Sequence, residues 1–255
     1  MHHFSRHLLR GRKTFQSTWN SFIISSNQNN INLFTLAGSP IAPGNFLFTL
    51  NSGIAVGSTS NATAGLRTGT FPVGSIVKLI NLGIIDGKEG ITGAINGGPA
   101  LQLDFNLILD NTNGLIGGGG GRGGDGGAGR YASGWGWVDE YWTPDSTGEG
   151  LIYHPGYSYT IYTDTTGGTG GAGQGSGNRS AAASGSAGGT NAGNGGNGGA
   201  YGASGSSGGN GTNAETSGTN AGSAGGTPGN AIVLSGKTIT WLGGNDSTHV
   251  KGTVS

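Results

Sequence analysis

Between Gly117 and Gly129 ten of thirteen residues are glycine, and the exceptions, Arg122, Asp125 and Ala128, stand three apart. The same Gly-Gly-X register returns at Thr169 and Ala172, at Asn194, Asn197 and Ala200, and at Ser207 and Asn210. A period of three matches a polyproline-II-type helix, with three residues per turn and a rise of about 3.1 Å. In that geometry the X side chains line one edge and two all-glycine edges stay bare, so neighbouring backbones can approach as only glycine permits. From Gly167 to Gly229 there is no Val, Ile, Leu, Met, Phe or Trp, so no hydrophobic core can form there. Ordering a residue costs about 1–2 kcal/mol, and a net hydrogen bond returns about 0.5–1.5 kcal/mol. Order therefore requires nearly every amide and carbonyl to pair between segments. A flexible Gly/Ser linker is the competing reading. The phased register favours a packed bundle, as do the apolar stretches Ala231–Leu234 and Thr238–Leu242, which read as a closing hairpin over 231–242.

The first half follows a different rule. Phe46–Leu50, Ile76–Ile80 and Phe105–Leu109 are short apolar runs, each followed by turn residues, and none has the spacing of an amphipathic helix. The blocks after them repeat: Asn51-Ser52-Gly53-Ile54, Asn81-Leu82-Gly83-Ile84 and Thr112-Asn113-Gly114-Leu115. Their turn glycines lie 30 and 31 residues apart. A strand, a tight turn and a second short strand cannot bury their own face and must stack on a neighbour. The expected architecture is mainly β and irregular, with essentially no α-helix. A basic leader (1–31), flexible or partner-bound, precedes a stacked β-rich attachment module (32–116), and a glycine-rich polyglycine-II domain (117–255) follows.

Composition narrows the function. Only 9% of residues are charged, and lysine plus arginine balance aspartate plus glutamate at 12 each, so net charge does not organise an interaction, and nucleic acid is not an expected partner. No cysteine is present to supply disulfides or thiolate metal ligands. No stretch approaches the roughly 20 apolar residues of a membrane span. The leader carries Arg6, Arg10, Arg12 and Lys13 but no apolar run long enough for a signal peptide, so an intracellularly made, soluble protein that does not insert into membranes is expected.

Residues 131–162 form a conspicuous insert between glycine-rich stretches. They hold six of the seven tyrosines and three of the five tryptophans. Tyr131, Trp135, Trp137, Tyr141, Trp142, Tyr153, Tyr157 and Tyr159, with Asp139 and His154, are the candidate binding residues. Tyr and Trp give large contact area for few torsions to freeze, which suits recognition loops. The same rings could instead shield the base of a coreless bundle. Asp139/Glu140 and Asp145/Glu149 meet the bare requirement for glycoside hydrolysis, two carboxylates. Four acids in an exposed loop meet it by chance, and His154 has no serine or cysteine nucleophile motif beside it. No catalytic residue, metal or cofactor is expected.

These features together resemble the glycine-rich adhesins at the tips of bacteriophage tail fibres, including the T-even-like long-tail-fibre type. The resemblance runs from about Phe71 to Ser255. It is carried by Leu115-Ile116 followed by five glycines, by the alternation of glycine-rich motifs with variable segments, and by the closing Gly226-Thr227-Pro228-Gly229-Asn230-Ala231-Ile232 and Thr238-Ile239-Thr240-Trp241-Leu242. It implies a sandwich of polyglycine-II helices whose far-end loops contact a host outer-membrane protein or surface glycan. It also implies a place at the distal tip of the virion's tail or fibre, with the N-terminal half held by another fibre protein. On that reading recognition rests on the insert, helped by polar loops near Asn178–Ser186 and Thr212–Asn220. The run Asp86-Gly87-Lys88-Glu89-Gly90 departs from the purer glycine of the family's first motif, and Met1–Asn45 has no counterpart there. A non-binding glycine-rich tail-tip or matrix protein is the rival class.

Overall fold

Each apolar run of the first half alternates inward and outward side chains, and in a computed structural model each becomes a strand of a parallel β-helix. The structure describes residues 18–93, 95–213, 215 and 218–255. Its first rung is β1 (Trp19–Ile24), β2 (Gln28–Asn29) and β3 (Ile31–Asn32). Its second is β4 (Asn45–Leu50), β5 (Ala55–Gly57) and β6 (Leu66–Arg67). Its third is β7 (Ile76–Asn81), β8 (Ile84–Asp86) and β9 (Leu101–Gln102). The fourth opens with β10 (Leu107–Asp110) and β11 (Leu115–Gly117), and there the glycine-rich chain departs. That excursion contains β12 (Gly129–Val138), β13 (Tyr141–Pro144), β14 (Leu151–His154), β15 (Tyr157–Thr165), β16 (Gly211–Asn213) and β17 (Gly218–Asn220). The chain then returns as β18 (Ile232–Val233) to complete the fourth rung, and β19 (Ile239–Gly243) and β20 (Val250–Lys251) add a fifth. Three sheets result, ordered β1-β4-β7-β10-β19, β2-β5-β8-β11-β20 and β3-β6-β9-β18. The one α-helix among the described residues is a single turn, Leu33–Leu36.

Because every rung pairs in parallel register, equivalent side chains stack in columns. Phe22, Phe48, Leu79, Leu109 and Trp241 lie on successive partners. So do Val56, Ile85, Ile116 and Val250, and Ile31, Leu66, Leu101 and Ile232. Most of these are fully buried, and burying a Leu, Ile or Phe side chain contributes about 1.5–3 kcal/mol. The 30-residue spacing reappears as a polar column: Asn81 Nδ2 donates to Asn111 Oδ1 at 2.7 Å, both side chains fully buried. Asn111 Nδ2 in turn donates to the carbonyls of Gly244 and His249. A buried amide without partners would be costly, so this column fixes where the rungs turn.

The structure departs from the sequence reading at both ends of this module. Residues 19–32 make the first rung, so the expected leader stops short of 31; residues 1–17 lie outside those described. The expected hairpin over 231–242 does not form. Both stretches pair in parallel, Ile232 with Leu101 and Ile239 with Leu107, and so lie in different sheets. Adjacent apolar runs across Ser235-Gly236-Lys237 read as a hairpin only because the chain by itself does not reveal that older rungs wait to receive them.

The glycine-rich segment 117–128 continues directly from β11 and becomes the hub of a hexagonal bundle. Its amides donate in rotation to three neighbours. Gly120, Gly123 and Gly126 bond the carbonyls of Gln174, Gly171 and Gly168, while Gly121, Gly124 and Gly127 bond Ala203, Ser206 and Gly209. Gly119 and Arg122 bond Gly98 and Ile95. Its carbonyls accept from three others: from Gly202, Gly199, Gly196 and Gly193, from Gly229, Gly226 and Ser223, and from Gly87 and Gly90. The six neighbours also bond one another around the ring, for example Gly173 to Gly90, Gly171 to Gly196, Ser206 to Asn197, Gly208 to Ser223, Gly97 to Thr227 and Gly98 to Lys88. The run 87–90, which departs from the family pattern, therefore fills one ring position through its backbone alone.

This arrangement explains the register. A Cβ on Gly118, Gly119, Gly120, Gly121, Gly123 or Gly124 would strike a neighbour's carbonyl. The first motif, 87–98, turns back at Ile91–Gly93, and beyond that level the hub's third edge opens. Arg122 lies at the rim, 5% exposed, and reaches Asp125, which is 52% exposed. The X positions thus mark the edge on which the neighbours 87–90 and 95–98 have ended. On the outer segments the X asparagines serve amides left over at the rim: Asn197 Oδ1 accepts from Gly185, Asn194 from Gly188 and Asn210 from Gly222.

Bundle and β-helix are joined by a buried polar contact. Asp86, at the end of β8, is fully buried and accepts from Arg179 Nε and Nη2 at 2.6 and 2.9 Å and from the Tyr201 hydroxyl at 3.0 Å. Burial raises the Asp86 carboxyl above its usual range, and the Arg179 hydrogen bonds oppose that shift. The Tyr201 ring covers Gly117, where any Cβ would collide with it.

Two outcomes follow. Gly124→Val sets a branched side chain against the Ser223 carbonyl; overpacking costs about 1–3 kcal/mol and displaced backbone bonds add to it. Arg122→Ser removes a buried side chain and its ion pair with Asp125 but leaves the backbone bonds in place, so thermal unfolding should show the valine variant melting well below the serine variant. Asp86→Ala strands Arg179 and Tyr201 at the junction and should cost about 2 kcal/mol or more in urea unfolding, with Asp86→Asn costing less because an acceptor remains.

Candidate functional site

The insert 131–162 is a β-ribbon rather than the loop expected from sequence. β12 and β15 pair antiparallel from Gly129↔Thr165 to Val138↔Tyr157, with a register shift between Ala132 and Gly134. β13 and β14 continue it as a second hairpin, Tyr141↔His154 to Pro144↔Leu151. Alternating apolar and small residues, Trp135-Gly136-Trp137 against Tyr157-Ser158-Tyr159, carry the period of two that strands require. The interleaved glycines and serines hid that period inside a glycine-rich chain.

Directly opposed residues share a face. Trp135 and Trp137 lie opposite Thr160 and Ser158 on one face; Gly136 and Val138 lie opposite Tyr159 and Tyr157 on the other. The Tyr159 ring covers Gly136, so a Cβ there would run into the ring. In the outer hairpin Tyr141 and His154 stack with centroids 4.5 Å apart, and Trp142 tilts against Tyr153 at 4.8 Å. His154 Nε2 lies 3.0 Å from Thr143 Oγ1. Every candidate ring except those of Tyr131 and His154, which are half-buried, is exposed, Trp135 at 78% and Trp137 at 63%. Leu151, Ile152 and Ile161 add to this apolar surface. A shallow recess at the joint of the two hairpins is lined by Trp137, Asp139, Glu140, Tyr153, Pro155 and Gly156.

The carboxylates occupy separate places. Glu140 Oε2 accepts from the Tyr153 hydroxyl at 2.5 Å, which raises that phenol's pKa. Asp145 Oδ1 accepts from the Thr147 hydroxyl and from the amides of Thr147 and Gly148 in the tip turn, and these bonds hold its carboxyl below the usual range. At the root Arg130 bonds Asp164 through Nε at 2.5 Å and also pairs with Glu215. Those bonds keep the guanidinium charged and lower the Asp164 carboxyl.

The ribbon springs from the end of the hub farthest from the β-helix, where two further connections gather. Asn191 Nδ2 donates to the Arg130 carbonyl, the Thr212 amide to the Asn191 carbonyl, and Asn220 Nδ2 to the Ala128 carbonyl. The segment 211–220, β16 and β17 with their turn, therefore stands beside the ribbon's root. The other expected helper does not. Asn178 and Arg179 lie at the opposite end, against Gly175 and Asp86, and Ala183 and Ser186 pack along Ala172 and Thr169. The distal connection on that side is the turn near 187–192.

A family model described as phage tail fibre adhesin Gp38 matches residues 20–255. Among solved structures, the chain is similar to the crystal structure of the gp37-gp38 adhesin tip complex of the bacteriophage S16 long tail fiber. The identity is 16%, over 92% of this chain and 82% of that one, with a TM-score of 0.49. No curated protein matches the chain.

Beyond its root the ribbon takes no part in the ring bonds of the bundle. Excising 133–161, with Arg130 and Asp164 kept, should therefore leave a soluble protein whose melting temperature stays within a few degrees of the parent. Loss of cooperative unfolding in that variant would instead assign the rings a structural duty.

Proposed function

The chain belongs to the phage tail fibre adhesin Gp38 family, and on that premise we propose that it grips the host surface with the distal ribbon and the two turns gathered at its root. As a family member it is a virion component and an adhesin. The observation that carries the siting is the exposure of Trp135, Trp137, Tyr141, Trp142, Tyr157 and Tyr159, which no other part of the described residues covers. Contiguous exposed apolar surface of this kind marks interaction sites, and tryptophan and tyrosine dominate the residues whose truncation weakens an interface most. A spacer with no partner gains nothing from such a surface, which argues against the purely structural class. The carboxylates are taken up by turns, a tyrosine and an arginine, and we assign them no catalytic role.

At the other end, β1, β2 and β3 are the last strands of their sheets. Their outward backbone groups form an edge that another chain can continue, and Trp19 and Ile23 stand exposed beside it. This rung is the surface by which the N-terminal half would be mounted on a further fibre protein.

Trp137→Ala, Tyr141→Ala and Trp142→Ala test the distal site in a cell-binding assay with labelled protein. Truncating a central aromatic anchor often costs 2 kcal/mol or more, on the order of thirtyfold in affinity. Each variant should bind susceptible cells more weakly while melting like the parent. Normal binding by all three would move the site elsewhere.

A further inference from the structure

The neutral chain is electrically polarised. Between Tyr131 and Asn178 it carries Asp139, Glu140, Asp145, Glu149 and Asp164 and no lysine or arginine. Glu215 joins them at the root, where Arg130, the one cation there among the described residues, is paired with both Asp164 and Glu215. The other basic side chains of the described residues belong to the β-helix, its loops and the proximal part of the bundle: Arg67, Lys78, Lys88, Arg122, Arg179, Lys237 and Lys251. Among the described residues the distal face is therefore of one sign, and the conclusion that charge plays no organising part fails for this face. Asp139, Glu140 and Glu149 are exposed, and two of them line the recess beside the Trp137 and Tyr153 rings.

We infer that the distal face recognises a protein rather than a phosphate-bearing glycan, and that it does so by taking a lysine or arginine side chain of an exposed host-protein loop between those rings and carboxylates. The inference rests on the ribbon being the receptor-binding element. An ammonium or guanidinium over an aromatic face is attracted by the ring's quadrupole, and a nearby carboxylate strengthens the same contact. A phosphate would meet repulsion from these carboxylates, and no lysine or arginine between Tyr131 and Asn178 is there to receive it. Steering by a one-signed face also speeds encounter, so binding should depend on salt.

The test measures binding of the full chain to susceptible cells from low to high salt, for the parent, for Asp139→Asn/Glu140→Gln/Glu149→Gln and for Trp137→Ala. All three neutralised positions are exposed, so melting should match the parent. The expected results are binding that weakens as salt rises, a loss of about tenfold at low salt in the neutralised variant, and a smaller salt response in it. Acetylating lysines or blocking arginines on the cells with phenylglyoxal should weaken parental binding to a similar degree. Full-strength, salt-insensitive binding by the neutralised variant, with Trp137→Ala still defective, overturns the charge inference and leaves the ribbon reading standing. Tighter binding by the neutralised variant overturns it in favour of an anionic glycan. Normal binding by Trp137→Ala as well removes the ribbon reading and the inference with it.

Discussion

Everything at the distal end depends on one requirement: the peptide groups of the hub must be satisfied by other peptide groups at backbone-to-backbone distance. From Gly118 to Gly124 the hub's bonds to its ring run from peptide to peptide, so spacing there is set by the hydrogen bonds themselves. Each glycine loses more conformational freedom on ordering than any other residue, and a hub residue offsets that cost only when both its donor and its acceptor are used. This makes the bundle cooperative in cross-section. Removing one ring segment would free bonds on the hub and on two flanking segments at once, which is why the ring closes on all sides that hold glycine and ends where side chains begin.

The β-helix supplies what the bundle lacks. Its columns of Phe, Leu, Ile and Val form an ordinary apolar core, and the hub is an extension of its second sheet. β11 enters the bundle and β18 leaves it within a single rung, so the bundle is an insertion held at both ends, with Asp86, Arg179 and Tyr201 locking the junction. Two chemistries of cohesion, apolar stacking and peptide pairing, thus share a continuous backbone. The first gives the second its starting register, since Leu115–Gly117 is already aligned with Ile84–Asp86 before the glycines begin.

Much of this was legible in the residues. The triplet register exposed the helical period and the bare edges, and the repeated turns after Phe46–Leu50 and Ile76–Ile80 exposed the stacking. The turn glycines marked the spacing, but the third block reads from Thr112, so the pairing of Asn81 with Asn111 comes from the structure. What stayed hidden is non-local. Residues 231–242 look like a hairpin because parallel pairing across more than a hundred residues leaves no mark in the pairing segments. The ribbon was concealed because its alternation uses Gly and Ser opposite Trp and Tyr, which reads as loop. The binding candidates were found by composition alone; their separation onto two faces, and the removal of Asn178–Ser186 to the other end, needed the register. The polarity of charge escaped for a simpler reason, because totals are blind to position.

The double attachment of the bundle has a mechanical meaning. If the ribbon holds the receptor, as proposed, a pull of the particle against a cell brings tension in through its two legs at Gly129 and Thr165. It travels along segments that lie side by side with lateral hydrogen bonds. Such bonds are strained in shear, many sharing the force, instead of opening one after another as in a zipper. The β-helix then receives the pull at two neighbouring strands of one rung, β11 and β18, each flanked by partners. A fold assembled from the residue with the least to hold on to is, in this geometry, arranged to resist being drawn out.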